Sequence, residues 1–278
     1  MDRIEIILWS ILMVTVLSFL LLNNVFAEDQ YEVLSFEHPT NPTVCIMEPD
    51  YVIQDRFHKE ILTLTARAVL VWQNEMTEYA GGNWYMPIEY YEYEKHFDKT
   101  PEDFPMCNIF LEFRQYNTGN PEVEGTANRY ALGWTAFDFS KSWHKWAFVM
   151  VYLETSEKNT HLSFCIGCDD DTNIENKRKE LSLNTVDRII RHEFAHALGV
   201  GHYIEDTNKS NNIESMMYPS INPNIEYKEL NYIPLADKEI LSQIYGGDGF
   251  GGRDGVRWDV GMYDIVEGII KTIKKGLD

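Results

Sequence analysis

The chain has 278 residues, of which 44% are hydrophobic and 24% charged. That apolar content excludes a disordered chain and suffices for one sizeable core or two small ones. A net charge of −20 excludes a nucleic-acid partner, whose phosphates need a basic footprint.

Residues 6–22, "IILWSILMVTVLSFLLL", run for 17 residues without a charge, slightly short of the ~20 that a spanning helix prefers. "NNVFA" follows, with Val25 and Ala27 at the small-residue positions of a signal-peptidase site. Residues 1–27 therefore read as a cleaved signal peptide. Only Arg3 precedes the run, against Asp2 and Glu5, so an uncleaved anchor is the alternative. Either way the remainder is exported, as a secreted or cell-surface-tethered protein. Residues 28–44, polar and interrupted by Pro39 and Pro42, predict an extended N-terminal segment.

From Tyr51 a helical period appears at Phe57, Ile61, Leu64, Ala68, Val71, Trp72 and Met76, ended by "AGGNW". "CNIFLEF" places Cys107, Ile109, Leu111 and Phe113 on one face of a half-buried strand. "ALGWTAFDF" (131–139) and "WAFVMVYLET" (146–155) are two more strands. The short "SKSWHK" between them predicts that they lie side by side. "CDDDTNIENKRKE" is an acidic loop without the glycine of an EF-hand. It reads as solvated, with Ca2+ binding the lesser use.

Asn184 or Thr185 is expected to cap the next helix, whose buried side is Val186, Ile189, Ile190 and Ala197. "PLADKEILSQIYG" predicts a short helix that stops at Gly246. Residues 247–255 read by composition as a glycine-rich linker. Residues 256–278 carry Met262, Ile265, Ile269 and Ile273 at helical spacing, with Lys271, Lys274 and Lys275 near the end. They predict an amphipathic tail helix that docks on its own domain or a partner; membrane contact would come only through this tail or an uncleaved leader.

Four cysteines leave three pairings open. In an exported chain thiols pair. Cys165 and Cys168 form "CIGC", which without a second CxxC reads as a small disulfide rather than half a zinc knuckle. Cys45 lies in the apolar "VCIM" and Cys107 begins an inward-facing strand, so the two are expected to meet in a core.

The densest chemistry lies in "RHEFAHALGVGHY", residues 191–203. Positions four apart on a helix stand one above the other, so His192 and His196 can chelate one divalent ion. Glu193 sits at the edge of the same face, able to reach a water on the metal. Gly199 follows where a helix commonly ends at positive φ. The chain can then turn and bring His202 to the ion from another side. Three neutral nitrogens on Zn2+ leave a fourth position for water, the mark of a catalytic site.

"HEFAHALGVGH" resembles the metzincin zinc-protease motif at every fixed position, and "SMMYPS" resembles its methionine turn in the matrixin form, with Met217 as the turn residue. The resemblance spans residues 45–246. It implies an α+β fold in which a twisted mixed sheet with an antiparallel edge strand lies over the active-site helix. A smaller C-terminal subdomain would carry the methionine turn and a last helix, whose Asp237 braces the turn. It further implies one catalytic Zn2+ on His192, His196 and His202, Glu193 as general base, and an extended peptide or protein substrate paired with strand 131–139. Selectivity would come from the segment after Met217. No "PRCG"-type propeptide stands upstream, and Tyr218 is not placed as a ligand. The alternative function is a catalytically inactive zinc-binding interaction or adhesion module on the same fold, which needs the histidines but not Glu193. Oligomeric state is not written in the sequence.

Overall fold

A computed structural model describes residues 31–34, 37–38, 40–117, 131–141, 144–156, 178–203, 215–218 and 232–251. The expected leader, Cys165 and Cys168, most of the acidic loop, residues 219–231 of the segment expected to set selectivity, and the expected tail helix lie outside the described residues. Among those described, no helix is long and apolar enough to cross a membrane.

The fold is mixed α/β, built on a twisted mixed sheet. Strands β2 (Val44–Met47), β3 (Ile88–Tyr91), β4 (Ile109–Tyr116), β5 (Gly133–Lys141) and β6 (His144–Ser156) run in the order β3-β2-β4-β6-β5. The first four in that order are parallel, and β5 is antiparallel on β6. A short β7 (Arg178–Glu180) pairs with the end of β6. Helix α1 (Tyr51–Ala80) starts at Asp50, whose side chain accepts the Ile53 N–H at 3.1 Å, and stops at Gly81, φ 73°. Its Ile61, Ala68, Trp72 and Met76 enter the main core with Ile109, Leu111 and Phe113 of β4 and with Val149 and Val151 of β6. A four-residue helix α2 (Tyr93–His96) follows β3.

Strand β4 departs from the half-buried reading. Ile109, Leu111 and Phe113 face the main core, yet Phe110 is also buried, in a second cluster on the opposite side with Cys45, Met47, Cys107 and Trp146. Parallel strands are covered on both faces, so their apolar runs are continuous instead of alternating. Cys107 precedes the strand and belongs to this second face. There it is bonded to Cys45 as expected, Cα to Cα 5.7 Å and 62 residues apart in sequence. Such a bridge is compatible with an extracellular protein. Replacing both cysteines by alanine should lower stability by about 2–4 kcal/mol through released loop entropy. The check is a pair of urea titrations; equal midpoints would show that the aromatic packing around the bridge already holds these strands.

Helix α3 (Leu183–Ala197) crosses beneath β5 and β6. Its cap is Ser182, not Asn184 or Thr185: Ser182 Oγ accepts the Thr185 N–H at 3.2 Å. Thr185 sits three positions on and exchanges a hydroxyl bond with the cap. Val186, Ile189, Ile190 and Ala197 are buried, but so is nearly every other residue from Thr185 onward. This is a central helix whose polar side is buried as well as its apolar one. The last helix, α4 (Leu235–Tyr245), ends at Gly246 with φ 74°. The start of the glycine-rich run is held against the body: Phe250 packs on Trp84 and Tyr245, and its N–H donates to the Asn83 carbonyl at 2.7 Å.

Candidate metal centre

Helix α3 stops because Leu198 and Gly199 close its last turn. Gly199, at φ 95°, adopts the left-handed conformation that glycine takes without steric cost, and its N–H donates to the His196 carbonyl at 2.8 Å. The chain reverses into β8 (Val200–Tyr203), which carries His202. The N-terminal segment straps this turn. Strand β1 (Tyr31–Val33) pairs antiparallel with β8, Leu34 N–H donates to the Gly199 carbonyl at 3.2 Å, and His38 Nε2 donates to the Ala197 carbonyl at 3.0 Å.

The turn brings His192, His196 and His202 together as one group able to hold a metal ion. The Nε2 of His196 lies 3.1 Å from that of His192 and 3.2 Å from that of His202. Their outer nitrogens decide what these contacts are. His192 Nδ1 meets the Met216 carbonyl at 2.8 Å and His196 Nδ1 meets the Val200 carbonyl at 2.7 Å. A carbonyl only accepts, so each Nδ1 carries the ring proton and each Nε2 presents a lone pair. Burial, then the neighbouring histidine, pushes His192 down to about 3; burial pushes His196 down to about 4. Neither ring therefore takes a second proton at neutral pH. Two buried lone pairs facing each other at 3.1 Å repel unless a cation lies between them. Nitrogens bound at 2.0–2.1 Å to a tetrahedral ion stand about 3.3–3.4 Å apart, close to the observed spacing. The residues fit a metal, and imidazole donors suit zinc, copper, iron or nickel.

Glu193 is not among the converging groups. Its side chain is buried against β5, where Thr135 Oγ1 lies 2.9 Å from Oε2 and 2.9 Å from the Glu193 carbonyl. Burial raises its carboxyl to about 8, with the Thr135 hydrogen bond pulling the other way. Gly133, two residues earlier on the same strand face, leaves the room: a Cβ there would stand 2.7 Å from Glu193 Cγ.

Beside His192, Ser215, Met216 and Met217 form a turn held by α4. Ser215 Oγ donates to Asp237 Oδ1 at 2.6 Å, and Met216 N–H donates to Oδ2 at 2.8 Å. Met217 N–H donates to Ser215 Oγ at 2.9 Å, and the Met217 carbonyl accepts the Tyr203 N–H at 2.8 Å. Asp237 is fully buried, and its carboxylate fixes the turn whose Met216 carbonyl orients His192. Met217 is fully buried in the main core, and Tyr218 packs edge-on against Tyr203. Met217→Leu, close in volume, should cost under about 1.5 kcal/mol and leave the metal stoichiometry intact. A folded but metal-free variant would mean that the thioether is a ligand.

Sequence reasoning located the three histidines, Glu193, Met217 and Asp237, but not Thr135, Gly133 or the carbonyls of Met216 and Val200. One signal was present: a glycine inside the strand pattern "ALGWTAFDF" marks a close approach, and a residue two further along shares its face. Backbone carbonyls leave no trace in residue types. No model of a known protein family matches the chain, and no curated protein is significantly similar to it.

Proposed function

We propose that the protein is an exported zinc-dependent endopeptidase, metzincin-like and of matrixin type, acting on extended peptide or protein segments. The observation that carries this reading is the convergence of three histidines, two with Nε2 lone pairs turned inward, beside a buried carboxyl that takes no part in the cluster. His192, His196 and His202 would hold the ion. When bound, zinc supplies a Lewis acid that acidifies water and polarises a carbonyl.

Glu193 would accept the proton that attacking water gives up and deliver it to the departing amine. The Met216 and Val200 carbonyls keep two imidazoles in the tautomer that a cation needs. Strand β5 pairs with β6 on one side, and among the described residues no strand pairs with its other edge. An extended peptide can add there by backbone hydrogen bonds, which gives affinity with little demand on sequence. Glu193 lies against this strand, so a peptide so held passes beside the base.

The test is cleavage of an unfolded protein or a peptide library by purified residues 28–278, before and after chelation. Cleavage that chelation abolishes and zinc restores is the expected result. A fully zinc-loaded protein that cleaves nothing in a broad peptide set would turn the reading towards a binding module.

A further inference from the structure

We propose that Thr135 is a positioning residue that fixes the carboxyl of Glu193, in a notch left open by Gly133. The proposal rests on the reading of Glu193 as the base. Residues 133 and 135 point from β5 to the same side, towards α3. At 133 a methyl group would lie 2.7 Å from Glu193 Cγ, 2.9 Å from Oε1 and 2.9 Å from Ile189 Cγ2. Such approaches are too short for carbon, so a side chain there displaces Glu193.

At 135 the single hydroxyl proton is shared between two acceptors of that residue, its carbonyl and its Oε2, each 2.9 Å away. Among the described residues it is the only hydrogen-bond donor to that carboxyl. The hydroxyl thus ties the free end of a long side chain to the helix that bears it. The same strand presents its open edge to substrate, so β5 would register the peptide and the base together.

Loss of the hydroxyl frees the carboxyl to swing, and a misplacement of about 1 Å can cost about 10²-fold in rate. Thr135→Val keeps the shape and removes the donor; Thr135→Ser keeps the donor. With zinc loaded, Thr135→Val should lower kcat about 10- to 10²-fold, with KM and zinc content within about twofold of the parent, while Thr135→Ser stays within about threefold in kcat. Gly133→Ala, which retains the hydroxyl but fills the notch, should lower kcat as well.

Independently of turnover, the crystal structure of Thr135→Val should show Glu193 Oε2 moved from its parental position. Unchanged kcat in Thr135→Val, or an equal fall in the serine and valine variants, overturns the role of the hydroxyl. So does an undisturbed Glu193 in the valine structure. A parent that cleaves no peptide overturns the functional reading instead, and the crystal comparison alone then decides whether Thr135 holds the carboxyl.

Discussion

Glu193→Gln should keep its metal and its fold while losing turnover by about 10²–10⁴-fold, the usual contribution of a general base. The amide has nearly the same shape as the carboxyl and can still meet the Thr135 hydroxyl, so the buried pocket is not emptied. It cannot take a proton. The three imidazoles are oriented by the Met216 and Val200 carbonyls and by the strand carrying His202, whereas the Glu193 carboxyl is bonded by Thr135. Metal content should therefore match the parent's. His202→Ala should behave differently, lowering metal affinity itself because one of three converging nitrogens is gone. The measurements are metal per chain and peptide cleavage for both variants beside the parent. Equal cleavage by parent and Glu193→Gln at matched metal content would remove Glu193 from the chemistry.

The parts of the site legible in the sequence are those encoded locally. The i,i+4 spacing of His192 and His196 is a property of one helix, and the turn at Gly199 is a property of one residue's φ. Both appear in the structure where the spacing puts them. The Cys45–Cys107 bridge was legible for another reason: one cysteine sits in an apolar strand and the other just before one, so burial brings the two together. What was not legible depends on register between distant segments. Nothing local says that Thr135 stands over Glu193, 58 residues away, or that His38 meets Ala197, 159 residues away. The double coverage of β4 was hidden too, because alternation and continuous burial look alike once Phe110 is set beside Ile109 and Leu111. The cap of α3 was missed because three polar residues, Ser182, Asn184 and Thr185, compete within four positions. The hydroxyl that reaches an N–H three residues ahead is the one that serves.

Asp187→Ala should be strongly destabilising, by about 3–5 kcal/mol. Arg191 is fully buried one residue before His192, and its Nη2 lies 3.0 Å from Asp187 Oδ2, one turn earlier on the same helix. Arg67 of α1 reaches the same carboxylate at 3.3 Å, so Asp187 also links the two long helices. The Arg67 side chain is 31% exposed and keeps part of its hydration, which makes its share small. Arg191 is buried outright, so losing Asp187 removes an ion-pair partner that opposes the desolvation of its charge. The double variant Asp187→Ala/Arg191→Met should accordingly recover most of the loss, since an apolar chain of similar length replaces a charge that had to be neutralised. Urea titration of the four proteins in the cycle decides this. If Asp187→Ala and the double variant unfold at the same midpoint, the loss comes from the missing contact to α1 and not from a stranded guanidinium. The charge pair would then stand as a tether between helices, and the packing of Trp72 against α3, whose Nε1 donates to the Arg191 carbonyl at 3.3 Å, would carry the placement of His192 and His196.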